Sequence, residues 1–268
     1  MPPSARPKSS GWTSPTSRGR ARKAASPLAT WKRPRRTGKT ASTWYEISPK
    51  RAAKLNAKKH REAERLFLAE GETLIRESPE PPVRTFESEA EVRRVSALKT
   101  PTGPVGVFPF LDVTVEELLS ARDRIVLLHG VQDPGNVGTV IRGAHAFGAG
   151  VALSTGCADL YNPKTVRASM GSIFHAPVAR EIDTVEFLNG ADAAGFRTVA
   201  AVPDGGDAPG SSLDGKSVLV VGSEGSGLPL GVLERCLTRV SLPSQAASLN
   251  AAVAASILLY HAYARVLG

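Results

Sequence analysis

The chain has 268 residues, 41% of them hydrophobic and 22% charged, with a mean hydropathy of −0.12. That is the profile of a soluble globular protein with one large domain or two of ordinary size. Its 34 Lys and Arg outnumber 25 Asp and Glu, but 11 of the basic residues and none of the acidic ones lie in residues 1–45. The rest of the chain carries 23 basic against 25 acidic residues, so the net charge of +9 belongs to the N-terminal stretch and does not mark the folded part as a polyanion binder. Two cysteines, Cys157 and Cys236, are too few for a disulfide framework or a thiolate zinc site. The five histidines show neither HxxxH nor HExxH spacing, so no metal is expected. The longest mainly apolar stretch, Ala251 to Tyr260, interrupted by Ser256, falls short of the ~20 residues that span a bilayer. The expectation is a cytoplasmic protein without a membrane partner.

Residues 1–45 combine Pro, Ser, Arg and Lys without apolar periodicity, which predicts a disordered basic tail. An acid-free, Arg/Ser-rich start also resembles an organelle transit peptide. However, Pro2, Pro3, Pro7, Pro15, Pro27 and Pro34 would break the amphipathic helix such a peptide needs. Ser48-Pro49 reads as an N-cap followed by Pro at the first helical position, opening a Lys/Arg-rich helix that runs to about Arg65. A strand at Leu66-Phe67-Leu68, a helix at Thr73-Leu74-Ile75, a helix at Glu87–Val95 and a strand at Val105–Phe108 complete a small α/β module, residues 46–110. Residues 111–122 are expected to be a linker. From Arg124 onward strands and helices alternate. Strands are predicted at Ile125–Leu128, Val151–Ser154, Thr198–Val202, Ser217–Val221 and Arg239–Leu242. Helices are predicted at Val137–Phe147, Pro163–Met170, Val185–Ala194, Pro229–Cys236 and Leu249–Leu267. This alternation predicts an α/β domain, residues 123–268, with a mainly parallel sheet.

In such sheets ligands bind beyond the carboxyl ends of the strands, and three segments there carry more than folding requires. Gly130–Arg142 places Asn136, Gly138 and Arg142 at i, i+2 and i+6; alone it reads more readily as a Gly/Asn turn with a surface Arg. Gly222-Ser223-Glu224-Gly225-Ser226-Gly227 could cradle a ligand with its backbone. Its glycine order fits neither the dinucleotide fingerprint nor a Walker A loop, and Glu224 would repel phosphates. Val240–Asn250 leads into a helix of small residues, Ala251 to Ser256, that another backbone can approach closely. Ser248 and Asn250 stand where helix caps are expected.

Taken in order, Asn136-x-Gly138-x-x-x-Arg142, Gly222-Ser-Glu-Gly-x-Gly-Leu228 and Ser248-Leu-Asn-Ala-Ala-Val-Ala-Ala255 resemble the three motifs of the SpoU/TrmH family, RNA ribose 2′-O-methyltransferases of the SPOUT class. Pro163-Lys164 with Arg167-Ala168-Ser169-x-Gly171 resembles a fourth stretch of that family. The likeness covers about Arg124 to Leu267. A looser one, over Ser48–Phe108, is to an L30e-like RNA-recognition domain, here short by about a strand–helix unit between Glu77 and Val83. The resemblance implies a trefoil-knotted α/β domain, a homodimer, and S-adenosyl-L-methionine as cofactor. It also implies an RNA substrate, ribosomal RNA before transfer RNA. Gly222, Val240, Leu242 and Leu249 would then contact the cofactor, and Arg142, Asn136, Glu224, Ser248 and Asn250 would form the catalytic cluster. The third motif departs from the family at Ser241 (usually Pro), Leu242 (usually Met) and Ser244 (usually Gly). The alternative reading is an RNA-binding or ribosome-assembly factor that kept the fold and lost turnover.

On this reading the basic tail contacts phosphates and does not select the modified nucleotide. Deleting residues 1–45 should weaken RNA affinity at low salt and flatten the dependence of log K on log [salt], with the modified position unchanged. Filter binding across a salt series, with mapping of the product, checks this.

Overall fold

The computed structural model describes residues 47–267; the basic tail lies outside them. Ser48 caps the first helix as expected, its hydroxyl accepting from the Arg51 amide, with Pro49 in the first turn. The expected single helix is two, α1 (Pro49–Lys54) and α2 (Lys58–Glu64). The break at Leu55–Ala57 lets Leu55 enter the core and lets Arg61 reach back to the Leu55 and Asn56 carbonyls, both at 2.8 Å. Then follow β1 (Leu66–Glu70), α3 (Glu72–Arg76), β2 (Arg84–Phe86), α4 (Glu89–Val95) and β3 (Val105–Pro109). The three strands form an antiparallel sheet in the order β1-β3-β2. Strand β2 was not anticipated, because three residues bracketed by prolines and acids carry no alternation to read.

The segment expected to be a linker is ordered. Thr114 and Glu117 form a reciprocal capping box that opens α5 (Val115–Ala121), and the Val113 amide donates to the Val178 carbonyl. The remaining elements are β4 (Arg124–His129), α6 (Pro134–Ala146), β5 (Gly150–Ser154), α7 (Pro163–Ala168), β6 (Val178–Ile182), α8 (Thr184–Ala193), β7 (Arg197–Ala201), β8 (Ser217–Gly222), α9 (Leu230–Leu233), β9 (Thr238–Val240) and α10 (Ala251–Leu267). The six strands form an all-parallel sheet in the order β6-β5-β4-β8-β7-β9. Strand β6 also escaped the sequence, since its outer half carries Arg180 and Glu181, the latter at φ +56° in a bulge.

Residues of both modules share one core. Phe67 and Phe108 of the antiparallel sheet pack on Phe174, and Phe67 and Phe110 pack on the fully buried Tyr161. The Tyr161 hydroxyl donates to Asp112 (2.6 Å) and accepts from the Leu111 and Asp112 amides. Burial alone would raise the Asp112 pKa. The bond from Tyr161 and the charges of Arg180 and Arg65 outweigh burial and hold it below the ordinary carboxylate range. Around this centre Arg61 pairs with Asp159, and Arg180 grips Glu62 through both terminal nitrogens (2.8 and 3.1 Å). Among the described residues no helix is long and apolar enough to cross a membrane.

Arg61 is 3% exposed and its partner Asp159 is nearly as buried, so removing one charge strands the other. Arg61→Ala should lower unfolding stability by about 3–5 kcal/mol, measured by urea denaturation.

Candidate active site

The order of strands decides where a site can form. From β4 the chain moves outward through β5 to β6, then returns on the other side of β4, so succession reverses between β4 and β8. His129 and Gly222, the last residues of these strands, stand in register there. The loops after β4, β7, β8 and β9 all emerge at this carboxyl edge, where parallel sheets bind ligands.

Helix α6 leaves β4 through a tight entry. Asp133 caps it by accepting from the Asn136 amide (2.9 Å), and Pro134 fills the first turn. Lys164 of α7 donates to the other Asp133 oxygen (2.9 Å). The bond from Lys164 and that from the Asn136 amide hold the Asp133 carboxyl below its ordinary range. Gly138 is required for packing: a Cβ there would lie 2.5 Å from the Ala168 Cβ and 2.6 Å from the Thr165 carbonyl. On the opposite flank α10 seats Ser256 and Leu259 over Gly143, the close approach expected of its small residues.

Three of the predicted polar residues meet at the entrances of α6 and α10. Asn250 Oδ1 accepts from the Ala252 and Val253 amides (3.0 and 3.2 Å), capping α10. That commits the Asn250 Nδ2 to donate, and it does so to Asn136 Oδ1 (3.1 Å). Asn136 Nδ2 in turn donates to Glu224 Oε1. The chain has one direction only, because the α10 cap orients the first amide and each amide orients the next. It ends on an exposed carboxylate whose Oε2 makes no bond among the described residues.

The other predicted residues fall in two groups. Gly222 abuts the returning end of its own loop: a Cβ there would lie 2.3–2.8 Å from the backbone of Gly227 and Leu228. Val240 is fully buried, and Leu242 and Leu249 are half-buried. Among the described residues, segment 242–249 makes a single hydrogen bond, Ala246 amide to Ser244 Oγ (3.0 Å). Its other backbone groups are therefore unpaired among the described residues, and it leads into Asn250, which reaches the Gly-rich loop through Asn136 and Glu224. Arg142 and Ser248 do not join the polar chain. Both are exposed and make no hydrogen bond or ion pair among the described residues. Arg142 lies six residues beyond Asn136, well round the helix from it. Sequence reasoning missed the Asp133–Lys164 clamp, although Asp-Pro at a helix entrance is an N-cap signature. It also missed His129, whose Nδ1 bonds Thr184 Oγ1 at 2.8 Å and whose pKa is lowered by burial.

Residues 123–260, just over half of the chain, match the model of the SpoU rRNA Methylase family. The chain belongs to the SpoU rRNA methylase family. The 23S rRNA (guanosine(2553)-2'-O)-methyltransferase RlmP of Bacillus subtilis is 35% identical over 232 residues, 78% of this chain and 92% of that protein. The AdoMet-bound rRNA methyltransferase from Sinorhizobium meliloti superposes with a TM-score of 0.72 at 28% identity, covering 84% of this chain and 96% of the other. The SpoU methyltransferase AviRb from Streptomyces viridochromogenes, in complex with AdoMet, superposes with a TM-score of 0.71 at 25% identity, covering 82% and 98%. Residues 123–268 supply little more than half of the chain, so these superpositions also take in residues of the antiparallel module.

In this SpoU-family chain the Gly222 crossing leaves no room for a side chain. Gly222→Ala should displace the loop to Leu228 and break the Gly227-amide bond to the Ser223 carbonyl (2.9 Å). Faster hydrogen exchange at the Gly227 amide, with β8 still protected, is the expected readout.

Proposed function

We propose that this protein transfers a methyl group from S-adenosyl-L-methionine to a ribose 2′-hydroxyl of ribosomal RNA. The observation that carries the reading is the directed chain Asn250–Asn136–Glu224, set at the point where strand order reverses beside an open backbone segment. The segments fit such a cofactor. The loop after Gly222 and residues 242–249 offer unpaired backbone groups and apolar side chains of Leu242 and Leu249, suited to an adenosyl group. Glu224 supplies a negative charge compatible with a sulfonium. When bound, the cofactor supplies an electrophilic methyl whose carbon–sulfur bond electrons return to sulfur as the 2′-oxygen attacks.

The protein's own part is alignment. Glu224 Oε2 accepts the hydrogen bond of the ribose hydroxyl and takes its proton as the 2′-oxygen is methylated, and the Asn136 amide fixes the carboxylate while it does so. Leu242 and Leu249 keep the cofactor side apolar, which favours a step that neutralises a cation.

Arg142 completes the reading through a second copy. It stands with Thr139 and Ala146 on the exposed ridge of α6, beside an apolar stripe of α10: Val253, Ile257 and Tyr260, 43–58% exposed. A two-fold homodimer covers that stripe and carries Arg142 to the partner's site, where its guanidinium meets an RNA phosphate or the developing alkoxide. The loop after β7 lies across the chain at Val240–Ser241, and this crossing is consistent with a trefoil knot through which the C-terminal segment passes.

Incubation with tritiated S-adenosyl-L-methionine and ribosomal RNA tests the activity. Tight binding of both without methylated product would instead favour a non-catalytic assembly factor. Arg142→Ala should lower kcat by about 10²–10³ with cofactor affinity retained. Mixing Arg142→Ala chains with Glu224→Gln chains should restore part of the activity through mixed dimers. Absence of any recovery would place Arg142 outside the partner's site.

A further inference from the structure

The end of β9 is tied to the loop after β7 by Ser241. Its amide donates to the Asp207 carbonyl (2.9 Å) and its hydroxyl to the Gly206 carbonyl (2.8 Å). The ladder is continued by the Asp207 amide, which donates to Arg239 (3.0 Å), and the Val202 amide, which donates to Val240 (2.9 Å). The backbones touch here: a Cβ on Gly206 would lie 2.6 Å from the Val240 carbonyl carbon and 2.7 Å from the Ser241 nitrogen. Ser241 is also the last residue before segment 242–249, which makes only one hydrogen bond among the described residues. The segment is thus held at two ends, by Ser241 and by the Asn250 cap, with little between them. The far end of the β7 loop is fastened separately, by Arg265 to Asp214 (2.8 and 3.0 Å) and by His261 to the Gly210 carbonyl (3.1 Å).

We propose that Ser241 is a positioning residue for the cofactor: its amide and hydroxyl together moor segment 242–249 to the Gly206–Asp207 loop, so that the open backbone groups of that segment are pre-set for binding. Proline, which stands at this place in the motif that the chain resembles, has neither an N–H nor a hydroxyl and could form neither bond. The mooring here is therefore built from side-chain and backbone donors instead of ring rigidity. The inference rests on the function proposed above and names a determinant of its cofactor step.

The test uses the full chain and three variants. Ser241→Pro removes both bonds, Ser241→Ala removes the hydroxyl bond, and Ser241→Thr keeps both. Calorimetric titration with S-adenosyl-L-methionine should show Kd raised about fivefold in Ser241→Ala and up to about thirtyfold in Ser241→Pro, with Ser241→Thr within about twofold of wild type. In steady state the cofactor KM should rise with kcat at saturation little changed, and the Asp207 amide should exchange faster in Ser241→Pro. Arg265→Ala, which frees only the far end of the loop, should leave Kd unchanged. Unchanged affinity in Ser241→Ala and Ser241→Pro overturns the proposal. An equal loss in Arg265→Ala also overturns it, because general loosening of the loop would then suffice. A wild-type chain that binds no S-adenosyl-L-methionine overturns the proposed function itself, and with it the role given to Ser241.

Discussion

Everything at the candidate site depends on the reversal of strand order between β4 and β8. In a parallel sheet each connection returns over one face, so the loops on either side of a reversal diverge and leave a crevice. Here the crevice is then crowded. The β8 loop folds back on Gly222, and the β7 loop presses on Val240–Ser241 at distances only glycine permits. Helix α10 emerges from that crowding with Asn250 at its entrance, which brings its cap within reach of Asn136. A residue larger than hydrogen at Gly206 or Gly222 would force these crossings apart and separate groups whose bonds make the polar chain.

The coupling of the two modules is the second constraint. The antiparallel sheet does not sit on a tether: Phe67, Phe108 and Phe110 complete the core around Tyr161 and Phe174. The buried Arg61–Asp159 pair and the Arg180–Glu62 pair then fix the rotation of one module on the other. Buried ion pairs add little net stability over an apolar contact, but they penalise any other arrangement strongly. Whatever the antiparallel module contacts is therefore held at a set distance from the carboxyl edge of the parallel sheet.

Much of the fold was legible in the chain. Fully apolar runs such as Ile125–Leu128 and Val218–Val221 announce strands buried on both faces, and Ser48-Pro49 announces a helix start. The failures have local causes. Thr114-x-x-Glu117 carries a capping-box signature inside a stretch that otherwise reads as linker. Strand β6 is half polar because Arg180 turns to Glu62 across the module interface, while Glu181 is exposed and pairs with Lys58 at its rim. The Lys/Arg-rich helix is two helices, and the break between them buries Leu55 and turns Arg61 inward onto the Leu55 carbonyl, a long-range packing that helix periodicity does not carry.

The sequence by itself determined the α/β class, the three polar segments and their order, since these follow from apolar periodicity and from residue types that folding alone does not demand. It also marked Asn136, Glu224 and Asn250 as candidates through the motifs in which they stand. Only the tertiary structure decided that these three form one directed chain while Arg142 and Ser248 stand apart from it. Glu224 lies 88 residues from Asn136, and Asn250 lies 114 residues from it. Bonds over such separations are set by how strands are ordered and how closely glycines let backbones cross. The direction of the bonds follows from a helix cap, whose geometry exists only once the chain has folded.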